Sequence, residues 1–125
     1  FPKIGGNKIL YVAQNAFKNL RKLESLDFDE NKLRSLYFDL EPLVELRNFT
    51  IEQNQLSILV DNHFESNKKL EWVWFNNNKI RFINPTLFDG LNDLDYVDFK
   101  NNTCIDANYY TSDFATMKEN IKNDC

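Results

Sequence analysis

The side chains with the greatest chemical potential in this sequence are carboxylates and aromatic rings that recur at alternating positions. Asp27 and Asp29 stand two residues apart, and so do Trp72 and Trp74. Side chains at i and i+2 share one face of a β-strand, so each pair would be presented together. Paired carboxylates can hydrolyse glycosides or bind a hard cation, whereas paired aromatic rings can anchor a ligand. The elements that hold these pairs decide between these chemistries.

Catalysis and metal binding find little support in the sequence. The single histidine is His63, no serine is paired with a base, and there is no glycine-rich phosphate loop. Asp27 and Asp29 would stand on an open strand surface that does not exclude water. Strand alternation would also hold Asp27, Asp29 and Glu30 in a plane rather than around an ion. We therefore predict a non-enzymatic protein with no metal and no cofactor.

Composition limits the class of partner. The chain has 125 residues, of which 42 % are hydrophobic, which is enough for the core of one domain. Its formal net charge of −4 argues against a nucleic-acid partner and favours a protein whose contact surface is basic or neutral. Its longest apolar runs, such as residues 9–13, are too short to cross a bilayer, so no membrane insertion is expected.

Asparagines recur along the chain with gaps of 24, 23, 24 and 24 residues. These asparagines are Asn7, Asn31, Asn54, Asn78 and Asn102. Apolar residues recur at fixed offsets from them, which gives the unit L-x-x-L-x-L-x-x-N-x-L followed by a further Leu and Phe. Alternation around the central Leu predicts a short strand in each copy, and the Asn amide can hydrogen-bond backbone at the bend that follows.

This unit resembles that of leucine-rich repeat proteins over essentially residues 1–103. The resemblance implies an α/β solenoid of about five repeats of 23–24 residues. A parallel β-sheet would line its concave face, and the convex return segments would be irregular or 3₁₀-like. It also implies a recognition module that binds a protein, or a glycan, on the concave sheet. Such modules act in innate immunity, in adhesion or as secreted effectors.

Residues 104–125 depart from the repeat and are predicted to form a C-terminal cap. Phe114, Met117, Ile121 and Cys125 would share one face of a helix, with Ser112 as its N-cap. Cys104 takes an inward repeat position, so a disulfide to Cys125 would tie this helix to the core, although two reduced thiols are the alternative. The ending resembles the single-disulfide cap of secreted insect leucine-rich repeat proteins, which implies a secreted or extracellular location.

The repeat register predicts which side chains the concave sheet displays. Trp72, Trp74 and Tyr96 would anchor a ligand, and nearby carboxylates would steer a basic surface towards them. In the alternative interpretation, the rings only stack on each other and stabilise the sheet. The full set of candidate ligand-binding residues is Trp72, Trp74, Tyr96, Asp27, Asp29, Glu52, Asp98, Asn76 and Lys100.

Two further features bear on the concave face and on self-association. Glycosylation sequons occur at Asn48 and Asn101, and a glycan on Asn48 would lie beside Trp72 and block the predicted site. Phe1 falls within the first repeat, so its strand would be an exposed edge unless more repeats lie upstream. A structural module that forms homo-oligomers through this N-terminal edge is therefore the alternative function.

Overall fold

The computed structural model describes Gly6 and residues 12–125, and its strands follow the period of the sequence. The secondary structure of the described residues consists of short strands, one 3₁₀ helix and one α-helix. In chain order these are β1 (Ser25–Asp27), β2 (Asn48–Thr50), β3 (Ile58–Leu59), β4 (Trp72–Trp74), β5 (Phe82–Ile83), β6 (Tyr96–Asp98), β7 (Asn108–Tyr110), the 3₁₀ helix (Thr111–Asp113) and α1 (Phe114–Asp124).

The main sheet has the strand order β1-β2-β4-β6-β7. The first four strands are parallel and in register, so that Leu26, Phe49, Val73 and Val97 lie side by side. All four side chains are buried on the inner face. This arrangement confirms the predicted leucine-rich repeat solenoid, because one repeat alone cannot bury this face and stacking buries it continuously.

Aromatic rings fill the interior between the sheet and the return segments. Phe64 is fully buried and its ring centroid lies 5.5 Å from that of Phe49 and 6.1 Å from that of Phe75. Leu40, at 2 % exposure, occupies the equivalent position in the repeat that is one residue shorter. Each such buried side chain contributes about 1.5–3 kcal/mol of burial free energy, so the interior rows stabilise the solenoid.

The repeated asparagines form the predicted hydrogen-bond ladder. The Asn54 side-chain amide donates to the carbonyl oxygens of Phe28 at 2.9 Å and Ile51 at 3.1 Å, and its Oδ1 accepts from the Leu33 backbone N–H at 3.0 Å. Asn78 and Asn102 repeat this pattern one and two repeats along. Each ladder asparagine therefore pairs backbone groups of two neighbouring repeats that would otherwise be buried without partners.

The return segments are irregular, as predicted, and are built from turns with i to i+3 hydrogen bonds. Examples are the backbone bonds from Leu70 to Asn67 at 3.1 Å and from Leu94 to Leu91 at 3.2 Å. In addition, β3 and β5 pair as a two-stranded parallel sheet that the sequence did not predict. This second sheet arises because stacked repeats place equivalent extended residues at ladder distance.

The C-terminal cap differs from its prediction at its start. Strand β7 pairs antiparallel with β6, so the cap first closes the sheet edge and only then forms α1. The prediction of Ser112 as N-cap is wrong: Asp113 precedes α1, and Thr111 begins a 3₁₀ turn. The Thr111 hydroxyl donates to the Leu94 carbonyl oxygen at 3.2 Å, which ties this turn to the preceding repeat.

The helix face of the cap is as predicted. Met117 and Ile121 are buried, and Phe114 packs partly buried against the same core. Cys104 and Cys125 form a disulfide with their Cα atoms 5.2 Å apart, which fastens the end of α1 to the last repeat. A loop of 21 residues closed in this way contributes about 3 kcal/mol in the chain-entropy model.

The predicted N-terminal edge strand, including Phe1 and Asn7, lies outside the described residues. Self-association through that edge therefore stays a prediction. In the part of the chain that the structure describes, no helix has the length and apolar character needed to span a membrane.

Candidate concave binding site

Four aromatic rings lie together on the outer surface of the main sheet. The alternation of β4, β6 and β7 brings Trp72 opposite Tyr96, and Tyr96 opposite Tyr110. Ring centroids are 5.9 Å apart for Trp72 and Trp74, 6.0 Å for Trp72 and Tyr96, and 5.0 Å for Tyr96 and Tyr110. We call Trp72, Trp74, Tyr96 and Tyr110 the aromatic slab.

The aromatic slab is stacked internally and still open to solvent. Trp72 is 42 % exposed and Tyr110 is 57 % exposed, whereas Trp74 and Tyr96 are half-buried. Stacking between the rings accounts for the buried parts of these side chains, since offset or tilted aromatic pairs stabilise each other. The exposed parts of Trp72 and Tyr110 have no cover among the described residues, so the slab can accept a ligand.

Polar contacts hold the centre of the slab in place. The Tyr96 hydroxyl donates to Asp98 Oδ2 at 3.2 Å and accepts from Asn108 Nδ2 at 3.2 Å. Burial raises the pKa of the Tyr96 phenol, and the negative charge of Asp98 adds to the rise against the hydrogen bond from Asn108. Tyr96 therefore stays neutral and fixed as a donor to Asp98.

Two of the predicted steering carboxylates are not displayed. Asp27 is 6 % exposed and Asp98 is 9 % exposed. Each accepts the backbone N–H two residues further on, from Asp29 to Asp27 and from Lys100 to Asp98, both at 2.8 Å. The prediction that these carboxylates are exposed is wrong, because they turn back to cap the chain where it leaves the strand, and their contact with a partner stays a prediction.

Asp29 and Glu52 form a carboxyl pair at the end of β1 and β2. Asp29 Oδ1 accepts from the Thr50 hydroxyl and from the Glu52 backbone N–H at 2.8 Å. The Asp29 pKa is raised to about 7. Burial is the main cause, the hydrogen bond from Thr50 opposes the rise, and the adjacent Glu52 carboxylate adds to it. Near neutral pH this carboxyl is therefore partly protonated, and the face is less negative than its composition indicates.

The same row of repeat positions continues into the next two repeats. Glu52 Oε2 accepts from Asn76 Nδ2 at 2.7 Å, which immobilises the Asn76 amide. Lys100 occupies the following position and is exposed. The structure thus brings Asp29, Glu52, Asn76 and Lys100 into one row along the edge of the sheet, as the register predicted.

A second charged row lies at the other end of the strands, outside the set of residues predicted to bind a ligand. Arg47 lies between Glu24 and Glu71, with nitrogen-to-oxygen distances of 3.3 Å and 3.2 Å. Both carboxylates raise the Arg47 pKa, Glu71 more than Glu24. Asp95 follows at the equivalent position of the next repeat and is exposed. The four residues of this row stand at the same offset from the ladder asparagines, so the repeat period places them side by side.

The two predicted glycosylation sites occupy different surroundings. Asn48 is half-buried beside Trp72 in the sheet register, and its Nδ2 donates to the Ser25 hydroxyl at 3.1 Å. Asn101 is exposed, and its Nδ2 donates to Asn77 Oδ1 at 2.5 Å. A glycan on either nitrogen would replace one of its two amide hydrogens and leave the other for such a bond. Glycosylation stays a prediction at both sites.

His63 lies apart from this face, beside a cavity of about 320 Å³ lined by return-segment residues. Burial lowers the His63 pKa, and the nearby Asp61 carboxylate opposes that change. Among the described residues, no group of three or more His, Cys, Asp or Glu side chains is arranged to hold a metal ion.

The comparisons with known proteins agree with this geometry. A family model described as "Leucine rich repeat" matches residues 3–56 and 44–103. Among solved structures, 54 chains match. One is the leucine-rich repeat domain of APL1B, an insect protein, at 22% identity and a TM-score of 0.76. The match covers 81% of this chain and 31% of that one, so the chain spans about a third of that structure's length. No curated protein matches the chain.

Proposed function

Because the chain belongs to the leucine-rich repeat family, whose domains generally bind protein partners, we propose that it is a non-enzymatic recognition module. It binds a protein ligand on the concave sheet, with the aromatic slab as the anchor. The observation that carries the proposal is the exposure of Trp72 and Tyr110 on a sheet whose strands β1 and β2 present polar side chains. Exposed Trp and Tyr side chains are the commonest energetic centres of protein interfaces.

The charges around the slab favour a ligand that is basic or neutral at the contact. Glu24, Glu71 and Asp95 lie at one end of the strands, and among the described residues only Arg47 forms ion pairs with them. Glu52 and the partly protonated Asp29 lie at the other end. These residues take over the steering role that the sequence assigned to Asp27 and Asp98. A Lys or Arg of the ligand that reaches a Trp face gains cation–π energy there as well.

An extracellular site of action belongs to the same proposal. The disulfide between Cys104 and Cys125 is supported by the structure, and such bonds persist in oxidising compartments. Innate immunity, adhesion and secreted effector function are the candidate roles.

A glycan is the second class of ligand that the aromatic slab suits, since sugar rings also stack on aromatic rings.

The test starts from affinity capture of a ligand with the purified, oxidised protein, followed by titration of the purified ligand. Trp72→Ala is expected to weaken binding at least tenfold, or about 1.4 kcal/mol. Leu20→Ala is the matched control, because Leu20 is 44 % exposed on a return segment rather than on the main sheet. It is expected to change the affinity less than twofold.

Two results would overturn the proposal. One is equal binding by Trp72→Ala and the unmodified protein. The other is a larger loss in Leu20→Ala than in Trp72→Ala, which would place the ligand away from the main sheet. Enzymatic removal of a glycan from Asn48, if one is present, should raise the affinity for a ligand that occupies the slab.

A further inference from the structure

A second surface of the molecule carries only positive charge. After the ladder asparagines, the chain leaves the concave sheet through the segments 31–36, 54–59 and 78–83. Buried and exposed residues alternate at the start of the first and third of these segments. The exposed positions hold Lys32 and Arg34 in the first, and Lys79 and Arg81 in the third. We call these four residues the basic strip. The three segments contain no Asp or Glu.

The cations of the basic strip have no ion-pair partner in the part of the chain that the structure describes. Elsewhere, stacking places a carboxylate of the neighbouring repeat beside a cation, as for Lys69 with Glu45 at 2.7 Å and Arg47 with Glu71 at 3.2 Å. Between the two pairs of the strip stand Gln55 and Ser57 instead. In residues 12–125, no ion pair or side-chain hydrogen bond involves a member of the basic strip. Four like charges therefore stay unneutralised on one edge of an acidic protein.

The backbone fixes the spacing of these charges. The Lys79 N–H donates to the Leu56 carbonyl oxygen at 2.9 Å, and the Arg81 N–H to that of Ser57 at 2.8 Å. The segments thus lie side by side at strand distance, so Lys32 and Lys79 are two steps, or about 10 Å, apart. Along an extended segment, successive exposed positions are about 7 Å apart. The four cations mark the corners of a shallow rectangle.

We propose that the basic strip binds a linear anionic polysaccharide bearing sulfate or carboxylate groups. Gln55 and Ser57, whose side chains have no partner among the described residues, lie inside the rectangle and can donate to and accept from sugar hydroxyls. Phe82 adjoins Arg81 and is 40 % exposed, so its ring offers a face for a sugar. This site is separate from the aromatic slab and does not depend on the concave ligand.

The chemistry of the strip distinguishes this ligand from two others. A protein interface is centred on buried aromatic anchors, but Phe82 lies at the margin of the strip and polar side chains occupy its centre. A phosphate backbone only accepts hydrogen bonds, so it uses the donors of Gln55 and Ser57 but not their acceptors. Because screening lengths are about 8–10 Å near physiological salt, the local strip acts despite the net charge of −4.

Heparin is a suitable probe, measured by titration calorimetry at 0.15 M salt and again at a higher salt concentration. The test variant replaces all four residues of the basic strip by Gln. The matched control replaces four other exposed cations and so lowers the net charge equally: Lys18, Arg21, Lys22 and Lys68. Circular dichroism checks that both variants keep the fold, which is expected because every replaced side chain is exposed.

The strip variant is expected to lose heparin affinity at least tenfold, while the control changes less than threefold and Trp72→Ala not at all. Equal losses in both quadruple variants would overturn the proposal in favour of net charge. Absence of heparin binding by the unmodified protein would overturn it directly. A single-stranded oligonucleotide that binds through the strip as tightly as heparin would assign the surface to nucleic acid. None of these results bears on ligand binding by the aromatic slab.

Discussion

Replacement of Asp29 by Asn should make folding less sensitive to pH. The Asp29 carboxyl is half-buried next to Glu52, and these surroundings raise its pKa to about 7. Asn keeps an oxygen that can accept from the Thr50 hydroxyl and the Glu52 backbone N–H, as Asp29 Oδ1 does now. It also supplies an N–H group towards Glu52. The substitution therefore removes the titrating group and leaves the local contacts in place.

The direction of the effect follows from proton linkage. The folded protein binds the Asp29 proton more tightly than the unfolded chain, in which this carboxyl titrates at the ordinary aspartate pKa of 3.8. This contribution to stability is full below pH 3.8 and is lost as the pH rises to about 7. Each pKa unit corresponds to about 1.4 kcal/mol, but half-exposure screens the interaction, so we expect a net effect of about 1–2 kcal/mol.

Urea unfolding at pH 4 and pH 8 measures this effect. Asp29→Asn should match the unmodified protein near pH 4 and be more stable by about 1–2 kcal/mol at pH 8. The comparison between variants is needed because burial lowers the pKa of His63 below its ordinary value of 6.5, which makes stability rise with pH, the opposite of the Asp29 effect. Glu119→Gln, an exposed carboxylate on α1, is the control. Equal stability of Asp29→Asn and the unmodified protein at pH 8 would refute the reasoning.

Further perturbations test the solenoid itself by chemical denaturation. Asn54→Ala should cost about 3 kcal/mol, since it leaves buried backbone groups of two repeats unpaired; a cost below 1 kcal/mol would contradict the ladder. Reduction of the bond between Cys104 and Cys125 should lower stability by about 3 kcal/mol, and a Ser pair at these positions should abolish the response to reductant. Phe75→Ala should cost about 3–5 kcal/mol, whereas Trp72→Ala should cost about 1 kcal/mol; equal costs would mean that Trp72 is part of the core.

The sequence alone predicted the repeat architecture because each repeat encodes the same physical constraints. Asn54 and Asn78 sit at one bend in every unit, and their fixed offset from the apolar residues sets the register. In the structure, residues at equal offsets from these asparagines are neighbours: Thr50 and Asp98 lie beside Trp74, and Tyr96 lies beside Trp72. With a regular period, the structure inferred for one repeat therefore applies to the equivalent residues of the other repeats.

Features outside the period could not be predicted in the same way. Tyr110 joins the aromatic slab through β7, which belongs to the cap and has no counterpart in the repeats. Asp27 and Asp98 occupy strand positions at which alternation predicts exposure. Each is nevertheless buried, and its carboxylate accepts the backbone N–H of the residue two positions later. Helix α1 starts after a 3₁₀ turn because the Thr111 hydroxyl bonds the preceding repeat. Each of these depends on a contact that no spacing in the sequence reveals.

Recognition through the aromatic slab is tested most directly by nuclear magnetic resonance. The chain contains 2 tryptophans, so its ¹H–¹⁵N spectrum has two indole N–H signals, one each from Trp72 and Trp74. Titration with the ligand obtained by affinity capture should shift or broaden both signals in proportion to the fraction of protein bound. A ligand that saturates the protein while both indole signals stay unchanged would contradict binding on the concave sheet.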